Sequence, residues 1–306
     1  MSGLGTVLTL MASLFFPGVV SITKAKLSGR RGPPLFQPWY DIARLAKKGA
    51  VYSKTSSFVY RLVPPLYLAS IVTAVLFVPF HGDPGILSFN SDFIFFIGLL
   101  ALGKFGMIVS ALDTGSGFSG MGASREALYT MLVGPAFFMV VAALAILSAQ
   151  TSFADLFLQL QISISHSYLL AGFCAYLLLQ IALVENSRLP VDDPRTHLEL
   201  TMIHEVMILD NSGFDLALIH AAGALKFALT GGLVANLLMP REGSMGLAIA
   251  VFFFVQLTLA IMVGLLESFR ARNKLARNPQ WLLTQVSVAL LIFFFALMIK
   301  NKMHLQ

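Results

Sequence analysis

The sequence predicts an all-α, polytopic membrane protein with about eight transmembrane helices and both termini on the periplasmic side. Three observations predict it. Of 306 residues, 57% are hydrophobic and only 12% charged, against about 25% charged in ordinary soluble domains. The apolar residues fall into blocks of about 18–25, the length a helix needs to cross ~30 Å of hydrocarbon. The basic residues are gathered in alternate connections between those blocks, which is the pattern that orients membrane proteins. Strands could cross only as a closed barrel of alternating residues, and these blocks do not alternate.

The first block, Leu4–Ile22, lacks a basic leader and a small-residue cleavage site, so it is read as a retained helix. The connection 23–62 carries Lys24, Lys26, Arg30, Arg31, Arg44, Lys47, Lys48, Lys54 and Arg61. Within it, PWYDIARLAKKG has the pattern of a helix lying in the membrane interface. Pro38 suits the first turn and Gly49 the end, with Trp39, Ile42, Leu45 and Ala46 near one face and Arg44, Lys47 and Lys48 near the other. Spans over Val63–Phe80 and Phe93–Leu112 follow, and the connection 113–126 adds Arg125.

Ala127–Ser148 and Tyr168–Glu185 lead into the connection 186–213, which holds Arg188 and Arg195. Phe214–Met239 and Gly246–Glu267 precede the connection 268–280, with Arg270, Arg272, Lys274 and Arg277, and Trp281–Ile299 is the last span. These four connections contain sixteen of the 21 Lys and Arg residues, whereas the termini and the other connections contain Arg241, Lys300 and Lys302. The bias places the four connections in the cytoplasm. The whole of 1–306 reads as a single integral membrane domain without internal repeats. The net charge of +6 is accounted for by this orientation, which leaves no reason to expect nucleic acid as a partner.

Carboxylates at the ends of apolar spans are costly and usually functional. Glu126 opens the fourth span, Glu185 closes the fifth and Glu267 closes the seventh, and Arg125, Arg188 and Arg270 stand close to them in sequence. Together with Asp113 they point to a polar chamber or proton path on the cytoplasmic face rather than to independent helix ends. The stretch 185–215 holds Glu185, Asp192, Asp193, Glu199, Glu205, Asp210 and Asp215 against only Arg188 and Arg195. Its acidity suits a proton relay or a docking surface more than a solvated loop. His197 and His204 are seven residues apart and would share a helical face. Position 208 is Ile208, so no HExxH site is present, and the lone Cys174 supplies no metal site either. No metal is expected in this chain. Gly115, Gly117 and Gly120 match GxGxxG formally, but spanning helices flank them instead of a βαβ unit. They are read as a turn. Lys104 and Lys226 fall inside spans, where each is either a functional cation or a snorkelling side chain.

Three strings carry a family resemblance: RRGPPLFQPWYDIARL, ALDTGSGFSGMGASREALYTMLVGP and ENSRLPVDDPRTHLEL. They resemble cytoplasmic loops of the eight-helix membrane subunit that forms much of the quinone chamber in respiratory complex I. They are more similar still to its counterpart in membrane-bound nickel–iron hydrogenases of the hydrogenase 4 and formate hydrogenlyase type. LDTGS and GASRE favour that branch, and the likeness runs from about Arg30 to Arg277. The resemblance implies a subunit of the bacterial or archaeal cytoplasmic membrane that anchors soluble hydrogenase-like large and small subunits to antiporter-like membrane subunits. It implies a proton path through Glu126, Glu185, Asp192 and Glu199, to which position in the sequence adds Asp113 and Glu267 as further carboxylates. Arg188 of the matched pattern would supply supporting charge, and Arg125, Arg195, His197 and Arg270 are read from their places in the sequence as further supporting charges. Arg30, Gly32, Pro33, Gln37 and Asp41 match the first-loop motif and, with the neighbouring Arg31, would seat the soluble arm. Electron carriers would lie in those partners, as iron–sulfur clusters and a nickel–iron centre, while a quinone would bind only on the complex I-type alternative. Two departures stand out. Arg195 and His197 occupy places where relatives have glutamates, and Leu209 and Asp210 precede Asn211-Ser212-Gly213 where relatives have tyrosine. A secondary transporter and a purely structural anchor are the readings from other classes.

Overall fold

In the computed structural model, residues 3–159, 165–192, 201–239 and 244–304 are described. The helices are α1 (Leu4–Leu27), α2 (Gln37–Ala46), α3 (Phe58–Val75), α4 (Asp92–Asp113), α5 (Gly117–Ser148) and α6 (Phe153–Gln159). They continue as α7 (Ser165–Glu185), α8 (His204–Met207), α9 (Gly213–Leu238), α10 (Met245–Phe269) and α11 (Asn278–His304). Among the described residues no strand is assigned. Seven helices, α1, α3, α4, α5, α9, α10 and α11, are long and apolar enough to span a bilayer, and α7 adds the shorter apolar stretch Gly172–Glu185.

Contacts between helix ends sort the elements into two layers. The start of α1 meets the connection after α3, where the Thr6 hydroxyl faces the Val75 carbonyl at 3.5 Å. The end of α9 joins them, with the Asn236 amide donating to the Pro79 carbonyl at 2.8 Å. The start of α4 at Asp92 closes on α6, whose Phe153 amide donates to Asp92 at 2.6 Å. At the opposite end, Lys24 of α1 pairs with Glu267 of α10 at 2.6 Å. There too the first residue of α11, Asn278, donates to the Tyr129 hydroxyl early in α5 at 3.1 Å. α11 therefore runs parallel to α5, and the chain finishes at the end where α1 began. With α7 as a crossing, eight spans result. The first-loop basic residues, Arg125, Arg188 and the cations after α10 all lie at the second end, called the basic end below.

Four elements differ from the sequence expectation. α3 begins five residues earlier than expected, because Ser57 caps it by accepting from the Val59 amide at 3.1 Å and Pro64-Pro65 is accommodated inside the helix. α5 takes in ten residues assigned to a loop. Gly115, with φ 68°, makes the turn, but Gly117 and Gly120 are helical. Gly122 explains the extension: a Cβ there would stand 2.6 Å from Val206 and 2.7 Å from the Met207 amide, so its absence lets α8 lie directly on α5. α6 and α8 are short helices in the connections, below the length at which periodicity is readable. The expected short helix in the first connection forms as α2, with no buried residue. The Trp39 indole moors it to α1 by donating to the Ser13 carbonyl at 2.9 Å.

Aromatic and aliphatic side chains from most of the helices form the main core, and a second cluster around Val63, Tyr67, Met107 and Ile219 joins α3, α4 and α9. Buried polar side chains occur on most of the helices, from Thr9 of α1 to Gln285 of α11. Charged side chains from α4, α5, α7 and α9 meet in one group.

Candidate ion-coupling site

Helical phase decides which charges meet. Glu126 is on the inner face of α5, and Arg125, one residue earlier, points about 100° away around the helix. The Arg125 guanidinium instead donates to the Met202 carbonyl at 2.8 Å and to Met121 Sδ at 2.9 Å. The cation on Glu126 is Lys104 of α4, whose Nζ makes a direct ion pair with Glu126 Oε1. The same Nζ lies 3.6 Å from Glu185 Oε2 at the end of α7. Lys226 of α9 approaches that oxygen from another direction at 3.3 Å, with its ammonium 5.8 Å from the centre of the Tyr67 ring. Four charged groups from four helices thus form one chain, Glu126–Lys104–Glu185–Lys226. Lys104, Glu126 and Lys226 are at most 5% exposed. Both lysines lie within helices long and apolar enough to span a bilayer, and each ammonium is paired with a carboxylate inside the helix bundle.

Glu267 belongs to a neighbouring cluster. It pairs with Lys24 at 2.6 Å and Arg188 at 3.2 Å, while Arg270 is exposed beyond the end of α10. Pairing Arg188 with Glu185 and Arg270 with Glu267 by sequence proximity is therefore corrected, as it is for Arg125 and Glu126. The intervening helix ends aim these side chains elsewhere. Asp192 forms a third cluster. Its carboxylate pairs with Arg272 at 3.0 Å and accepts from the His204 amide at 2.9 Å, which fixes the start of α8. Asp113 stands apart from all three and accepts from the Ser57 amide at 2.8 Å. Glu199, Arg195 and His197 lie outside the described residues.

A cavity of about 390 Å³ opens between α1, α2, α9 and the turn after α7. Glu185, Arg188, His204, Glu205, His220 and Lys226 line it, and α2 roofs it with Pro38, Asp41, Ile42 and Leu45. Glu126 is not in its wall. Two of the lining groups sit on α8, in the connection between spans. Burial pushes the His204 imidazole down to about 4, although the Glu126 charge works against it. Burial, reinforced by Asp192 and opposed by Arg188, pushes the Glu205 carboxyl up to about 7. A neutral imidazole and a carboxyl that titrates near neutral pH therefore face the same cavity. Of the first-loop residues, Arg30 and Arg31 are exposed, Gly32 and Pro33 follow them in the turn, and Gln37 donates to Asp41 at 2.8 Å within α2.

A family model described as NADH dehydrogenase matches residues 2–301. The chain belongs to the NADH dehydrogenase family. Among relatives, Hydrogenase-4 component C of Escherichia coli (strain K12) is 29% identical over 291 residues, covering 92% of this chain and 89% of that protein. Formate hydrogenlyase subunit 4 of the same strain is 26% identical, covering 86% of this chain and 87% of that protein. An NADH-quinone oxidoreductase subunit of Koribacter versatilis (strain Ellin345) is 25% identical, covering 65% of this chain and 50% of that protein. The fold matches a chain in the structure of the membrane-bound sulfane sulfur reductase, an archaeal respiratory membrane complex. The TM-score is 0.80 at 17% identity, over 95% of this chain and 96% of that one. The order of the relatives agrees with the hydrogenase-type resemblance of the loop motifs.

Sequence reasoning placed the carboxylates of this NADH dehydrogenase family member near the basic end but missed their partners. Lys104 and Lys226 carried the available signal, since a lysine deep in an apolar span needs a counter-charge. Glu205 and His204 were visible in the acidic stretch, but their place in a cavity wall depends on α8 docking at Gly122.

Proposed function

We propose that this chain is the membrane anchor subunit of a complex I-like redox complex, most closely of the membrane-bound hydrogenase type. In this reading it sits in the cytoplasmic membrane of a bacterium or archaeon, with its basic end inside the cell. There it seats soluble hydrogenase-like large and small subunits, and it abuts antiporter-like membrane subunits. Electron transfer runs through iron–sulfur clusters and a nickel–iron centre of those partners, and this chain links that transfer to movement of a cation. The observation that carries the reading is the chain Glu126–Lys104–Glu185–Lys226, buried except where Glu185 meets the cavity. Replacing a buried ion pair by apolar side chains is often neutral or stabilising, so four such groups need a reason other than stability. The names of the relatives supply the kind of complex.

Residues of the chain divide the work. Glu185, facing the cavity, is the group that exchanges protons with water there, and Glu205 and His204 stand in the same wall. Glu126, sealed behind Lys104, is the next carboxylate inward. Arg30 and Arg31 with the exposed face of α2 offer the soluble arm a positive surface. A second reading, a complex I-type quinone reductase subunit, draws on the cavity itself. Its lining mixes apolar side chains such as Ile42, Leu45 and Phe227 with the neutral His204, which suits a quinone ring and tail.

Purification of the intact complex through a tag on this chain, with its subunits and metals identified, tests the assignment. The proposal expects soluble iron–sulfur and nickel–iron subunits that are released when Arg30 and Arg31 are both changed to Glu, with the membrane subunits retained. Stoichiometric quinone without nickel would favour the second reading, and a chain isolated alone would overturn both.

A further inference from the structure

The cavity and the sealed carboxylate meet at one side chain. Glu185 lines the cavity, Glu126 does not, and Lys104 is the described group in contact range of both. Its position is asymmetric, in direct contact with Glu126 and 3.6 Å from Glu185. Glu185 keeps a second ammonium, Lys226 at 3.3 Å, when Lys104 is drawn toward Glu126. Glu126 pairs with no second ammonium among the described residues, so movement of Lys104 changes its surroundings far more. We infer that Lys104 is a switching ammonium that passes between the carboxylates of α5 and α7 and thereby forces a proton to move the opposite way. The inference rests on the proposed coupling role of this site.

The step balances without any co-reactant. In the observed arrangement Lys104 neutralises an ionised Glu126. A proton from cavity water adds to a Glu185 oxygen and makes a carboxylic acid. When Lys104 then shifts to Glu185, that acid releases its proton, and Glu126, left without its ammonium, takes it up. Glu185 returns to a carboxylate held by two ammonium groups, and one proton has moved inward. Lys104 remains NH3+ throughout. Other groups facing the exchange are Tyr67 from α3, His204 from α8, and Lys226 and His220 from α9. None of these four bridges the two carboxylates as Lys104 does. The arrangement also names the cation. A metal ion such as sodium needs several oxygen ligands without a cation among them, and here Nζ already occupies the space between the oxygens. A proton joins a single oxygen and leaves that space to the lysine.

Infrared difference spectroscopy on the purified complex, with bands assigned through Glu126→Gln and Glu185→Gln, tests the switch. In the native complex the two carboxyl bands should titrate as a coupled pair, one losing a proton as the other gains it between oxidised and reduced states. Sodium should not displace either band. Lys104→Arg keeps a mobile cation and should retain the coupled pattern. Lys104→Met should uncouple it, so that the two bands titrate independently while redox turnover continues and the ion-to-electron ratio falls. Independent titration in the native complex, or coupled titration in Lys104→Met, would overturn the switch, and a sodium-dependent shift of the native bands would overturn the proton assignment. If Lys104→Met does not assemble, the native titration and Lys104→Arg still decide the matter. Bands of both carboxyls that stay constant through turnover would instead sink the underlying coupling role.

Discussion

Lys226 of α9 stands 3.3 Å from Glu185 of α7, and its ammonium also faces the Tyr67 ring of α3. This one side chain therefore ties three helices together around the floor of the cavity. Removing one partner of a buried pair typically costs about 3–5 kcal/mol, and here Lys104 at 3.6 Å still offsets part of the Glu185 charge. Lys226→Met should lower the unfolding midpoint of the purified complex substantially. Lys226→Met combined with Glu185→Gln should recover much of that loss, a coupling that a double-mutant cycle measures. Additive losses would show that the pair is not energetically linked.

Glu267 has a different expected phenotype. It connects α1 to α10 and to the turn after α7 through Lys24 and Arg188, away from the four-group chain. Glu267→Gln should reduce thermal stability by about 2–4 kcal/mol and leave the ion-to-electron ratio of the assembled complex unchanged. A normal midpoint with a reduced ratio would place Glu267 on the ion path instead.

Gly122 is the point at which α8 rests on α5. Adding one methyl group would bring it to 2.6–2.9 Å of Val206, the Met207 amide and the Ile203 carbonyl. Gly122→Ala should therefore cost about 1–3 kcal/mol by overpacking and speed amide exchange in residues 204–208. Gly120→Ala, in open space nearby on α5, should do neither.

The two titrating groups on α8 give opposite pH dependences. Glu205 rises from 4.5 to about 7 on folding, so its buried neutral form supports the fold fully below about pH 4.5 and loses that contribution as pH rises toward 7. His204 falls from 6.5 to about 4, so its contribution is present above about pH 6.5 and is lost as pH falls toward 4. Glu205→Gln removes the first effect alone. Its unfolding midpoint, relative to the native chain, should climb steadily between about pH 5 and pH 7. A pH-independent offset would mean that Glu205 is not held protonated by burial.

Much of the architecture was legible because bilayer thickness imposes it. Blocks such as Phe93–Leu112 and Gly246–Glu267 became α4 and α10 with small shifts, since an apolar run of that length has few other folds. The carboxylates were legible for the same reason, as costly exceptions in those runs. The wiring between them was not. Lys104 and Glu126 are 22 residues apart and Glu185 and Lys226 are 41 apart, and their meeting depends on how whole helices rotate and pack. Nearby arginines were a poor guide because adjacent helical positions face different directions. The glycines at 117 and 120 misled for a related reason: their composition suggests a turn, but contact of α8 with Gly122 on the same helix stabilises the helix there.

The measurement that tests the central claim most directly is the ion-to-electron ratio of the complex reconstituted in vesicles. Glu126→Gln and Glu185→Gln keep the side-chain size but remove the titrating group. Each should assemble and catalyse electron transfer at a reduced rate while its ion-to-electron ratio falls well below the native value. Glu242→Gln, in the connection between α9 and α10, serves as the control and should retain the native ratio. If both site variants move ions as Glu242→Gln does, the buried chain is a scaffold and the coupling role is contradicted.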